Sequence, residues 1–241
     1  MLEMRWVSGS VDFGLAIMKR LGQQSLGVIC LAWALAAGAT EPTQSSMTLV
    51  AAKTSHEAKI LVFGDSLSAG YGIRVEQSWP ALVQQQLGPK VQVINASQSG
   101  ETTAGGLTRL PALLAEHKPS IVIIELGAND GLRGLPIDAA RANLDRMITL
   151  SRDTGARVLL LAMRLPPNFG PAYTAKFRNM YDQLATQHKL PPPPFLLDGL
   201  ADRPDQFQAD QLHPTAQAQP QLVINIMPTL KRMLEPAKKK K

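Results

Sequence analysis

Five residues stand in a pattern that acyl-transfer chemistry can use: Ser66, Gly100, Asn129, Asp210 and His213. A serine hydroxyl is a weak nucleophile until a neighbouring base takes its proton. Asp210 and His213 are three residues apart, a spacing that puts both side chains on one side of a single turn. The carboxylate can then hold one imidazole nitrogen while the other nitrogen faces a serine. Glycine lets its backbone N–H approach a ligand closely because no side chain intervenes, and an asparagine amide adds a neutral donor. The N–H groups of Ser66 and Gly100 with the Asn129 side chain would supply three donors to a developing oxyanion. Each residue also has an ordinary reading. Ser66 can be a helix N-cap, Gly100 a loop glycine, Asn129-Asp130-Gly131 a plain turn, and His213 a structural histidine. Asp65 is the nearest acid to Ser66, but adjacent residues point apart, which leaves it a structural role in the turn. His56, His117 and His188 have no acid at comparable spacing and read as surface residues.

These residues need elements to hold them. Residues 60–63 form a short apolar, partly β-branched run closed by Gly64 and Asp65, which predicts a buried strand running into a tight turn, with Ser66 where the turn ends. Further strands are expected at 91–95, 121–125, 157–162 and, more weakly patterned, 194–197. Helical stretches are expected at 78–87, around 106–117 with a restart at Pro111, at 137–153 and at 173–188. A last amphipathic stretch covers 214–234, interrupted by Pro220 and Pro228, and Pro214 should fix His213 by starting that helix. Strand and helix in alternation imply an α/β fold of three layers, a parallel sheet covered on both faces. Open sheets of this kind place their ligands at the carboxyl ends of the strands, where all five residues or their flanking loops fall. No internal repeat is present.

The termini carry extras around one globular domain. Lys19 and Arg20 precede an apolar run at 26–37, and Ala37-Gly38-Ala39 is the small-x-small pattern of a signal-peptide cleavage site. Residues 1–39 therefore read as a signal peptide, with Met18 an alternative start. The apolar run is too short for the ~20 residues of a membrane span. Residues 40–57 read as a flexible lead-in, 58–235 as the globular domain and 236–241 as a basic tail. Cys30, the only cysteine, lies in the segment to be removed, so the mature chain fits an oxidising compartment without disulfide or thiol chemistry. The mature chain keeps 22 basic and 17 acidic residues, a net charge of +5, four of it from Lys238 to Lys241. The body is thus nearly neutral and lacks the basic patch of a nucleic-acid footprint.

The motifs from residue 60 to residue 234 resemble the SGNH, or GDSL, hydrolase family, and within it the bacterial multifunctional acyl-CoA thioesterase, lysophospholipase and arylesterase group. GDSLSAGYG at 64–72 is similar to the family's first block, NASQSGETTAGGL at 95–107 to the second, ELGANDGLRG at 125–134 to the third and DQLHP at 210–214 to the last. MRLPPNFGPAYT at 163–174 resembles that group's loop after the fourth strand. The resemblance implies a flavodoxin-like three-layer α/β/α fold with a five-stranded parallel sheet in the order 2-1-3-4-5, and neither metal nor cofactor. It implies Ser66 as nucleophile, Asp210 and His213 as its partners, and Gly100 and Asn129 with the Ser66 N–H as the oxyanion hole. The chain departs from the pattern at Pro191 to Pro194, which cannot donate to a ladder and should leave the fifth strand short or at the edge. It departs again at Gln98, where an apolar residue is common.

The expected substrate is a small acyl ester or thioester, cleaved through an acyl-enzyme, without nucleic-acid partner or stable membrane span. A monomer is expected, a weak dimer being the alternative, in the periplasm or outside the cell after cleavage near Ala39. Leu132, Leu135, Leu165 and Phe169 either line an acyl groove or simply cover the sheet edge. Two other functions fit less well. A carbohydrate deacetylase would need a stacking platform, for which only Trp79 remains after cleavage. A silent lipid-binding module would not need all five site positions filled. No G-x-S-x-G motif occurs, which argues against an ordinary α/β-hydrolase.

Overall fold

The computed structural model describes residues 56–200 and 202–235. The signal peptide, most of the lead-in and the basic tail lie outside the described residues. Four parallel strands form one sheet: β1 (Ala58–Gly64), β2 (Val91–Asn95), β3 (Ile121–Glu125) and β4 (Arg157–Leu160), in the order β2-β1-β3-β4. Between and after them come α1 (Ser66–Ala69), α2 (Trp79–Leu87), α3 (Thr103–His117), α4 (Ala128–Leu132), α5 (Ile137–Asp153), α6 (Pro171–His188) and α7 (Gln219–Leu234). All five residues of β3 are buried, as are the last five of β1. Continuous apolar runs of this kind belong to strands covered on both faces, each such side chain contributing about 1.5–3 kcal/mol on burial. Helices α3, α5 and α6 pack in sequence as one group and α2 and α7 as another. The architecture is the α/β fold with a parallel sheet that the strand and helix alternation implies.

The expected fifth strand does not form. Its place is marked by one parallel bridge between Ala162 and Phe195, with the Ala162 N–H donating to the Pro194 carbonyl at 2.9 Å. Pro191 to Pro194 have no N–H to give, so pairing stops after a single step at the sheet edge. β4 likewise ends at Leu160, short of the expected Ala162.

Two helices override their prolines. α3 starts at Thr103, capped by the Thr102 hydroxyl accepting from the Gly105 N–H, and runs through Pro111 without restarting. Buried Leu110 and Leu114 on either side of the proline pin that turn to the core. α7 begins at Gln219 rather than Pro214, accommodates Pro220 in its first turn, where the missing N–H costs nothing, and continues through Pro228. The Gln219 side chain accepts from the Trp79 N–H at 2.9 Å, fastening α7 to α2. Trp79 is fully buried and cannot serve as a sugar platform.

Candidate active site

β1 delivers Ser66 to the rim of the sheet. The strand ends at Gly64, and the Asp65 side chain caps α1 by accepting from the Leu67 N–H at 3.0 Å. Asp65 is therefore the N-cap and Ser66 the first helical residue, its N–H among the donors that a first turn leaves without an intrahelical partner. The capping reading of Ser66 is thereby set aside, and the structural role expected of Asp65 is realised as that cap.

His213 reaches Ser66 from a turn that Asp210 organises. One Asp210 oxygen, Oδ1, accepts from the N–H groups of Leu212 and His213 at 2.9 and 3.0 Å. The other, Oδ2, lies 2.7 Å from His213 Nδ1. These bonds hold the Asp210 carboxyl down at about 2, the His213 side chain being the largest cause and the two backbone N–H groups next. An ionised Asp210 requires Nδ1 to carry a proton, and in the neutral imidazole Nε2 is then the acceptor. Nε2 lies 2.8 Å from Ser66 Oγ, across 147 residues of sequence. The loop itself is pinned by the Gln208 N–H donating to the His213 carbonyl at 2.7 Å and by one antiparallel bridge between Phe207 and Pro214. His213 is thus fixed by its turn and not, as expected, by a helix starting at Pro214.

The residues expected as oxyanion donors lie in loops tied to the Ser66 turn and to each other. Gly100 has φ +77°, which favours glycine, and its carbonyl accepts from Arg133 Nη2 at 3.1 Å, fixing the tilt of the loop. Asn129 lies in the first turn of α4 beside Asp130, whose carboxylate receives the N–H and hydroxyl of Thr103 at the start of α3. The Asn129 amide is already engaged: Nδ2 donates to Asp65 Oδ2 at 3.1 Å and to the Glu101 carbonyl at 3.0 Å. One of those bonds must be shared or released for the amide to serve an oxyanion.

The four apolar residues beside the site do not behave alike. Leu165 is buried and packs against Gly131 and the core, so it is wall rather than open groove. Leu132 is half-buried, while Leu135 is exposed. Phe169 stacks on Tyr173 with ring centres 6.3 Å apart, and the Tyr173 hydroxyl donates to the Leu135 carbonyl at 3.2 Å. Leu135, Tyr173 and Phe169 therefore form one connected surface.

Several contacts were not foreseen. The exposed Tyr71 ring lies with its centre 4.5 Å from that of His213, and Gln208 Nε2 donates to the Tyr71 carbonyl at 2.8 Å. Nothing in their spacing announces either contact. Glu125 is fully buried beneath the nucleophile turn. The signal for it was an acid closing an otherwise apolar strand. His188, read as a surface residue, is half-buried and sits 2.7 Å from Asp145 Oδ1 on α5, a partner 43 residues away. Among the described residues, no group of three or more His, Cys, Asp or Glu side chains is arranged to hold a metal, and no helix is long and apolar enough to cross a membrane.

A parallel α/β sheet that presents a serine, a histidine and an aspartate in one hydrogen-bonded line at its strand ends has the arrangement of a serine hydrolase. The chain belongs to the GDSL-like lipase/acylhydrolase family, whose model matches residues 62–219. It is 49% identical over 178 residues to Esterase TesA of Pseudomonas aeruginosa, covering 73% of this chain and 89% of that one. It is 41% identical over 161 residues to Thioesterase 1/protease 1/lysophospholipase L1 of Escherichia coli, covering 67% of this chain and 77% of that one. The crystal structure of the psychrotrophic esterase EstA from Pseudoalteromonas, inhibited by monoethylphosphonate, superposes with a TM-score of 0.71 at 38% identity, covering 74% of this chain and 99% of that one.

Proposed function

We infer that the protein hydrolyses carboxylic esters and thioesters through an acyl-enzyme on Ser66. The observation that carries this reading is the unbroken line from Asp210 Oδ2 through His213 to Ser66 Oγ, at 2.7 and 2.8 Å. His213 Nε2 takes the hydroxyl proton as Ser66 Oγ attacks the carbonyl carbon. Asp210 stabilises the imidazolium, and the N–H groups of Ser66 and Gly100 receive the oxyanion, joined by Asn129 as it exchanges one of its present acceptors. His213 then gives its proton to the departing alcohol or thiol, and a water molecule repeats the sequence on the acyl-enzyme.

The names of the relatives support esters and thioesters as the substrate class. The surface of Leu135, Tyr173 and Phe169, tied by the Tyr173 hydroxyl to the Gly131 carbonyl of α4, offers an acyl chain apolar contact beside the helix that carries Asn129. The protein acts as a monomer exported to the periplasm or beyond after cleavage near Ala39, a reading supported by the charged and apolar pattern of residues 1–39. The test of the activity is hydrolysis of p-nitrophenyl esters from acetyl to palmitoyl by the mature protein and its Ser66→Ala variant. Activity that persists over several chain lengths and disappears in the variant is expected. Activity retained by Ser66→Ala would place the nucleophile elsewhere.

A further inference from the structure

Two buried carboxyl groups lie directly under the nucleophile turn, and the mechanism above uses neither of them. Asp65 and Glu125 are 1% and 0% exposed; Asp65 directly follows β1, and Glu125 is the last residue of the neighbouring strand β3. Glu125 Oε2 accepts twice, from the Ser68 hydroxyl at 2.7 Å and from the Asp65 N–H at 3.2 Å. Both donors flank Ser66, so this oxygen ties down the turn on each side of the nucleophile. Glu125 Oε1 is equally buried, and no N–H or O–H donates to it. A buried carboxylate oxygen without a donor is costly. It is satisfied if it carries the proton itself, and the acceptor at hand is the carboxyl of Asp65, the equally buried residue whose own N–H bonds the other Glu125 oxygen.

We propose that Glu125 is a positioning residue that works as a neutral carboxylic acid: Oε1–H donates to the Asp65 carboxylate while Oε2 holds the Asp65 N–H and the Ser68 hydroxyl, so a single buried proton locks the turn that presents Ser66. Asp65 is then the ionised member. Its Oδ1 accepts from the Leu67 N–H and its Oδ2 from the Asn129 amide, so the Glu125 proton also steadies the residue read as an oxyanion donor. The charged and titratable groups around the pair agree with one proton and one negative charge. Burial raises Glu125 well above the usual carboxylate range and the Asp65 charge raises it further. Asp65 rises only to about 6, because the Leu67 N–H, the nearby His213, the Asn129 amide and Glu125 itself oppose the burial. Tyr181, on α6, keeps its proton, raised first by burial and then by the negative charge of the carboxyl pair and of Asp130, and donates it to the Leu126 carbonyl at 3.0 Å. Ionising Glu125 as well would put a second negative charge beneath a site that must accept an oxyanion.

The inference rests on Ser66 as nucleophile, and its test separates the two. The difference infrared spectrum between wild type and Glu125→Gln, at mildly alkaline pH where Asp65 is ionised, should contain the C=O stretch of a protonated carboxylic acid that the variant has lost. A carboxylate signature in its place would overturn the proposal. Steady-state kinetics provide the second readout. Glu125→Leu should lower kcat on the order of 10²-fold with KM little changed, the scale for a misplaced reacting group. Glu125→Gln, whose amide N–H replaces the O–H donor, should recover most of that loss. A Gln variant as impaired as the Leu variant would overturn the proposal. The infrared measurement uses only wild type and the Gln variant, so it decides the question even if Glu125→Leu does not fold. An active Ser66→Ala protein would remove the nucleophile assignment while leaving the acid C=O signal in place.

Discussion

Gly64 and Glu125 stand opposite each other in the register of β1 and β3, and the side chain that Gly64 lacks is the space the Glu125 carboxyl occupies. A Cβ at position 64 would collide with Glu125 Oε2 and with the Ser68 hydroxyl oxygen, and would meet the Glu125 carbonyl at 3.0 Å. The glycine that opens the GDSL motif is therefore required by a close approach from the neighbouring strand.

Gly64→Ala should cost about 1–3 kcal/mol, the usual range for overpacking a dense interior. It should also lower kcat, because the displaced carboxyl no longer holds the turn around Ser66. Thermal unfolding together with ester hydrolysis measures both. A variant as stable and active as wild type would mean that the Glu125 carboxyl can move aside freely.

Asn129→Ala removes the amide that now bridges Asp65 and the Glu101 carbonyl. If the amide turns to the oxyanion during reaction, kcat should fall by roughly 2.7–4 kcal/mol of barrier, the scale for one lost donor. The pH dependence of stability should change too, since Asp65 loses a group that favours its ionised form. A change in stability without a change in kcat would assign Asn129 to structure alone.

Asp65 and Asp210 contribute to the pH dependence of stability with opposite sign. Asp65 is raised by burial from 3.8 to about 6, so its contribution is fully present below 3.8 and is lost as pH rises through about 6. Asp210 is lowered from 3.8 to about 2 by its bonds to His213 and Leu212. Its contribution is present above 3.8 and is lost as pH falls through about 2. Asp210 is a solvent-facing group, so the acid effect should be the smaller. Melting temperatures measured from acid to neutral pH should show a decline between 3.8 and about 6 that Asp65→Asn flattens. A decline unchanged in that variant would place its origin in another group.

The sequence by itself determined the parallel α/β class, because short apolar runs alternating with helical patterns can bury themselves in few other ways. It also picked out Ser66, Gly100, Asn129, Asp210 and His213, since chemistry restricts which residue types can act together and strand ends restrict where they can stand. The Asp210 and His213 pairing was legible for the same reason, both residues lying in one turn. Three-dimensional packing decided what depends on contacts between distant segments. The approach of His213 to Ser66 spans 147 residues, and the His188 to Asp145 pair 43. The burial of Glu125 under β1 depends on strand register, and the engagement of Asn129 by Asp65 on how two loops meet; neither leaves a periodic trace in the chain. Pro111 and Pro228 pointed to helix breaks that the packing of Leu110, Leu114, Ile226 and Leu230 overrode. The four prolines before Phe195 kept their local meaning, because no packing can supply an N–H that the residue does not have.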